Sequence, residues 1–110
     1  MNTPQKYRKK PVVIDAMKCD RDSLIDAYQW VERETIGSFE PMAVIEGREP
    51  CPASGVSIDP RDGRMMIATL EGFHHVNLGD FIIKGVKGEF YPCKPGPFAD
   101  TFEPAEEQAS

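Results

Sequence analysis

The feature that most constrains this chain is the closeness of its turn signals. Over the last third, Gly72, Gly79, Gly85 and Gly88 interrupt short apolar runs every few residues. Parallel neighbours need a crossover of about a dozen residues or more, and these intervals leave no room for one. The runs must therefore pair antiparallel through tight turns. Ten prolines and nine glycines in 110 residues extend the constraint to the whole chain and speak against a helical bundle. The expected fold is α+β: a small antiparallel sheet of about five to seven strands, with one long helix packed on one face.

Individual elements follow from periodicity. The β-branched run Val12–Met17, with Pro11 at its start, reads as a strand. Leu24, Ala27, Tyr28, Val31 and Thr35 recur at helical spacing, so a helix is expected from near Asp22 to near Ile36, burying Leu24, Ala27, Tyr28 and Val31. Asp22 or Ser23 would cap it and Gly37 would stop it, with Trp30 on the flank of the buried stripe. Met42–Ile45 reads as a short strand and 48–55 as loop. Val56–Ile58 and Arg64–Leu70 flank Asp59-Pro60-Arg61-Asp62-Gly63, whose turn chemistry predicts a hairpin. Phe73–Val76, Phe81–Lys84 and Glu89–Pro92 complete the strands, and Phe98–Phe102 is either a helical turn or an edge strand. The domain is expected to span 1–103, with a polar N-terminal stretch frayed as far as Tyr7 and a disordered acidic tail over 104–110.

Charge and cysteine usage narrow the function classes. A formal net charge of −5 speaks against a partner of duplex nucleic acid, which favours a basic excess. Lys6, Arg8, Lys9 and Lys10 make the start basic, while Asp100, Glu103, Glu106 and Glu107 make the end acidic. No stretch approaches the ~20 apolar residues of a membrane span, and no apolar core of a secretory signal follows Met1. Cys19, Cys51 and Cys93 are odd in number and widely spaced, so free thiols in a reducing cytoplasm are expected, with no disulfide, no metal and no cofactor.

The candidates for chemistry mostly yield to plainer readings. His74 and His75 are adjacent in a strand and point to opposite faces, so they cannot chelate one ion together; ordinary strand histidines, one outward and one half-buried, are expected. Cys93 precedes Lys94, which favours a thiolate, but no oriented base is visible, and a buried structural cysteine is the better reading. Gly85-Val86-Lys87-Gly88 leads into a strand rather than a helix, so it is a turn and not a phosphate loop. Asp59, Asp62 and Asp80 sit where turns use Asp for local backbone hydrogen bonds, and no catalytic residue is assigned. Phe90 must face the core, which turns Tyr91 outward. With Lys84 taken to share that outer face, and Lys87 and Lys94 nearby, Lys84, Lys87, Tyr91 and Lys94 form the candidate surface for an anionic or nucleotide-like ligand.

Three stretches are recognisable together: Tyr7-Arg8-Lys9-Lys10-Pro11-Val12-Val13-Ile14-Asp15-Ala16, then Thr69-Leu70-Glu71-Gly72, then Gly79-Asp80-Phe81-Ile82-Ile83-Lys84-Gly85-Val86-Lys87-Gly88-Glu89-Phe90-Tyr91-Pro92-Cys93-Lys94-Pro95. In these the chain resembles a widespread family of small bacteriophage and prophage proteins. It departs from that family at Asn77-Leu78, where Pro is usual before Gly79-Asp80, at Gly96-Pro97 before Phe98, and at Phe102, where Tyr is common. The likeness leaves 38–63 uncovered and supplies no catalytic residues. It implies a phage product acting in the host cytoplasm by binding, either to a host protein or to a small anionic ligand. The alternative is a structural or assembly protein that forms a homo-oligomer or decorates a larger complex.

Overall fold

A computed structural model describes residues 3–105. Six strands and three helices follow one another as β1 (Asp15–Lys18), α1 (Leu24–Glu34), α2 (Pro41–Ile45), β2 (Val56–Ile58), β3 (Met65–Thr69), β4 (Gly72–Val76), β5 (Phe81–Lys84), β6 (Phe90–Cys93) and α3 (Pro95–Thr101). Every strand pair is antiparallel, as the turn spacing requires for the neighbours β3–β4 and β5–β6. The single sheet of five to seven strands is corrected: the strands divide into two three-stranded sheets, in the orders β1-β5-β6 and β2-β3-β4. The chain changes sheet at Asn77-Leu78-Gly79-Asp80, where the Asp80 carboxylate accepts the Asn77 N–H at 2.9 Å. Gly79 N–H donates to the Cys19 carbonyl at 2.7 Å, and Cys19 N–H to the Asp80 carbonyl at 2.8 Å. These two bonds steer β5 toward β1 instead of back along β4.

The expectation of one long helix is likewise corrected. α1 has 11 residues and stops at Glu34. There the Thr35 hydroxyl donates to the Val31 carbonyl and accepts the Gly37 N–H, competing with a further helical turn. Ser23 occupies the N-cap position without capping through its side chain. Its hydroxyl donates instead to the Lys18 carbonyl, and Asp20 Oδ1 takes the Asp22 and Ser23 N–H groups. The Met42–Ile45 run forms α2 and not a strand. Pro41 pre-sets the helical φ and lacks an N–H to satisfy, and the Glu40 carboxylate accepts the next one, from Met42. In α3, Pro95 has the same place at the first turn, and Phe98 stacks on Phe81 at 3.9 Å between ring centroids.

The main core lies between the two sheets and α1. Ala27, Trp30 and Val31 meet Val56, Met65, Ile67 and Val76 from one sheet and Ile82 and Phe90 from the other. Burying a side chain of this size contributes about 1.5–3 kcal/mol. Leu24 and Tyr28, expected at the centre of the buried stripe, pack only partly, while Trp30, expected on its flank, is buried edge-on to Phe90 with centroids 5.1 Å apart. The buried stripe of α1 is thus turned toward Trp30, whose ring meets β6 of the other sheet. β3 is buried on both faces, since Met66 and Ala68 are covered as well as Met65 and Ile67.

Candidate functional site

The register of β5 with β6 decides the fate of the expected surface. Lys84 pairs with Phe90 and Ile83 with Tyr91. Directly opposed residues share a face, so Lys84 lies on the Phe90 side and not beside Tyr91. The shared outer face for Lys84 and Tyr91 is therefore corrected. Lys84 Nζ sits 6.0 Å from the Phe90 ring centroid and donates to Glu34 of α1. That bond holds the Glu34 carboxyl below the usual carboxylate range. Lys94, at the head of α3, stands 3.5 Å from the buried Asp80 carboxylate. Each lysine thus has a carboxylate neighbour, Glu34 for Lys84 and Asp80 for Lys94.

Tyr91 and Lys87 do come together. They line an open cleft of about 610 Å³ between β6, the β5–β6 turn and the β3–β4 hairpin, with His74, Glu71, Glu89 and Ser54 among its other walls. Each side chain arrives there for a local reason. Tyr91 faces opposite to Phe90 because strand neighbours alternate. His74 is exposed at the cleft while His75 is half-buried, the division expected of adjacent strand histidines. Lys87 is carried by the 85–88 turn, whose Gly88 N–H donates to the Gly85 carbonyl at 2.9 Å. Glu89 folds back over that turn, and its carboxylate accepts the Lys87 N–H at 3.1 Å. Gly85 permits this, because a Cβ there would collide with the Glu89 carboxylate. Burial first, then the neighbouring Glu89 and Cys93, push the Tyr91 hydroxyl above its ordinary pKa, so it stays a proton donor at neutral pH. The cleft thus presents an aromatic face, a hydroxyl donor, one ammonium, one imidazole and the carboxylates of Glu71 and Glu89.

A second cluster was not legible as such in the sequence. Asp59 is fully buried. Its Oδ1 accepts the Arg61 N–H and Nε–H at 2.9 and 3.0 Å, and its Oδ2 accepts Arg61 Nη2 and meets His75 Nε2, both at 2.8 Å. The Arg61 side chain first, with help from its backbone N–H and His75, holds the Asp59 carboxyl far below the usual range against the cost of burial. Asp62 accepts from the Arg64 backbone and guanidinium. Ligand atoms of Asp59, Asp62 and His75 lie within 4.8 Å of one another, a spacing a metal ion accepts. Their oxygens are already engaged by two guanidiniums, however, and an ion would have to displace Arg61. The cluster acts as a clasp on the β2–β3 turn.

The cysteines are free, with Cys19 buried and Cys51 and Cys93 half-buried. The expectation of a buried Cys93 is corrected to that extent. Among the described residues its Sγ has a single hydrogen-bond contact, to the Lys94 carbonyl at 3.6 Å. Cys19 has its thiol pKa raised by burial first and by Asp80 and Asp20 next, the opposite of what a nucleophile needs.

Comparison with protein-family models, with curated proteins and with solved structures finds no match to this chain. No helix of the described residues is long and apolar enough to cross a membrane.

Proposed function

We propose that this chain is a phage-encoded, non-enzymatic protein that binds a small anionic, nucleotide-like ligand in the Tyr91–Lys87–His74 cleft, in the cytoplasm of the infected host. The observation that carries the reading is that Tyr91 and Lys87, singled out by residue chemistry alone, line one concavity. Its volume of about 610 Å³ falls within the range of about 300–1,000 Å³ common for small-molecule sites. Tyr91 offers a stacking face for a base, Lys87 a cation for a phosphate and His74 a ring N–H that can donate to it. Glu71 and Glu89 oppose a bare polyanion and instead suit a base carrying an exocyclic amino group. The likeness of the chain's two end regions to small phage proteins supports the biological setting.

Isothermal titration against mono- and cyclic nucleotides, with inorganic phosphate as the comparison, tests the reading. An amino-bearing nucleotide should bind better than phosphate alone. Tyr91→Ala should weaken it by ~2 kcal/mol or more, as loss of a central aromatic anchor does, and Lys87→Ala should weaken it while leaving the melting temperature near the parent's. Failure of every nucleotide to bind, or full binding by Tyr91→Ala, would sink the proposal.

A further inference from the structure

The turn between β5 and β6 holds a carboxylate on its own backbone. Glu89 follows Gly88, which stands at φ +84°, and its side chain reaches back so that Oε1 accepts the Lys87 N–H at 3.1 Å. The same carboxylate lies over Gly85, in the space a Cβ would need. Gly85 is closed into the turn by its N–H, which donates to the Glu89 carbonyl at 2.7 Å. The Lys87 ammonium belongs to the same turn, yet among the described residues neither it nor Glu89 enters a salt bridge. The carboxylate is held by a peptide N–H, the group that binds anions where a turn runs into a left-handed residue. Glu89 and Lys87 both line the cleft of Tyr91, and Glu89 is exposed. An anion in the cleft can therefore reach the turn, and the Glu89 side chain has solvent to move into.

We propose that the Glu89 carboxylate is an internal stand-in for the phosphate of the ligand, displaced when that phosphate takes its place on the turn. This role rests on the nucleotide reading of the cleft and adds its regulation, a competition between the ligand and the chain's own anion. A phosphate oxygen takes over the Lys87 N–H, and the ammonium of the same residue supplies a positive charge that Glu89 leaves unused. Glu71, on the β3–β4 hairpin, is left to accept from the amino group of the base. A neutral nucleoside has no part in the exchange. A phosphate must displace one anion before it is bound as another, so the turn holds off anions that bring no further contact.

Isothermal titration of adenosine monophosphate and of adenosine against the parent, Glu89→Gln and Glu89→Ala provides the test, because the ratio of the two affinities isolates the phosphate. Both substitutions remove the same charge, but the Gln amide oxygen can still accept the Lys87 N–H, whereas Ala leaves it open. Preference for the phosphate form should rise roughly two- to fivefold in Glu89→Gln, the worth of an exposed charge pair. It should rise roughly threefold or more again in Glu89→Ala, the worth of a hydrogen bond. Adding Gly85→Ala to Glu89→Ala should abolish that second rise, since its methyl fills the same space; Gly85 has no positive φ, so its backbone accepts Ala. In amide nitrogen–proton correlation spectra, which also show that each variant is folded, the Lys87 signal should move with the nucleotide and not with the nucleoside. Equal rises in Glu89→Gln and Glu89→Ala would reduce Glu89 to plain repulsion and overturn the proposal. So would an unchanged preference in both while Tyr91→Ala still weakens binding, a result that leaves the cleft reading standing. If neither compound binds the parent or any variant, the cleft reading fails and the stand-in falls with it.

Discussion

Asp59 shows how a residue of ordinary local purpose acquires a larger one. Asp followed by Pro, with Gly63 four positions on, marks a turn in any sequence, and the turn is there, with Gly63 N–H donating to the Asp59 carbonyl at 2.7 Å. Its clasp with His75 depends on Met66 pairing with both Ser57 and His75, and nothing in the residue order fixes that register. An unfolded Asp titrates near 3.9, whereas Arg61 holds the folded Asp59 well below that. The unfolded chain therefore takes up the proton first. The clasp's contribution is complete above about pH 4 and fades as pH falls through the folded value. In urea midpoints measured from neutral pH downward, Asp59→Asn should lower stability at pH 7 and flatten the decline below about pH 4. Asp20, Glu34 and Asp62, also held low by their hydrogen bonds, should keep part of that slope. A variant that keeps the parent's acid slope unchanged would assign the slope to those three alone. Gly55 is the other position where one atom decides. It is buried at φ +126°, and an added Cβ would stand 2.9 Å from the Gly37 carbonyl oxygen, beside the parallel bridge from Ser38 to Val56. Gly55→Ala should cost more than about 1 kcal/mol, read as a lower denaturation midpoint; a neutral result would mean that the 36–40 segment yields freely.

Elements were legible wherever period and turn chemistry agreed. The strands β2 to β6 fall within a residue or two of the apolar runs that announce them, because Gly-rich turns set their ends. β1 begins three residues later than its β-branched run; among the described residues Val12 and Val13 have no partner strand, so their β-propensity is not realised as a ladder. α2 was hidden because four apolar residues carry no period of their own, and the Pro41 and Glu40 pair at their head outweighs β-propensity. The Lys84 and Tyr91 pairing failed on register, where a shift of one residue reverses every face. Trp30 was missed because a helical stripe drawn from the sequence assumes one covered side. With its ring buried in the core against Phe90, Trp30→Ala should cost about 3–5 kcal/mol, measured by urea unfolding followed through far-UV circular dichroism. A loss below ~1 kcal/mol would show that α1 is held by its other contacts.

At the scale of the molecule, the α+β class and the antiparallel pairing follow from the residues, while the division into two sheets does not. Asn77-Leu78-Gly79-Asp80 has the composition of a hairpin turn. Its role as a change of sheet comes from Cys19, almost sixty residues earlier in the chain, which supplies the bonds that turn β5 away from β4. The candidate site shows the same limit. Tyr91 and Lys87 were chosen for their chemistry, but Ser54, Glu71 and His74 reach the cleft only because β6 runs beside β3 and β4. The radius of gyration, 16.1 Å, exceeds the value of about 13 Å usual for a compact chain of ~100 residues, in keeping with a segment 3–13 that lies outside the packed body.

The strand order also sets when the fold can close during synthesis. β2, β3 and β4 are consecutive, so that sheet can assemble from neighbours as soon as Val76 has cleared the ribosome. β1 is made early, yet among the described residues its one partner strand is β5. Until then the strand and the valines before it remain open to any other chain, and long-range pairings of this kind form slowly. On a polysome, where copies of the same nascent chain stand side by side, the earliest-made strand is the last to be sheltered. Its immediate forerunners on the chain, Lys9, Lys10 and Pro11, are the residue types that keep a waiting edge from pairing with the wrong neighbour.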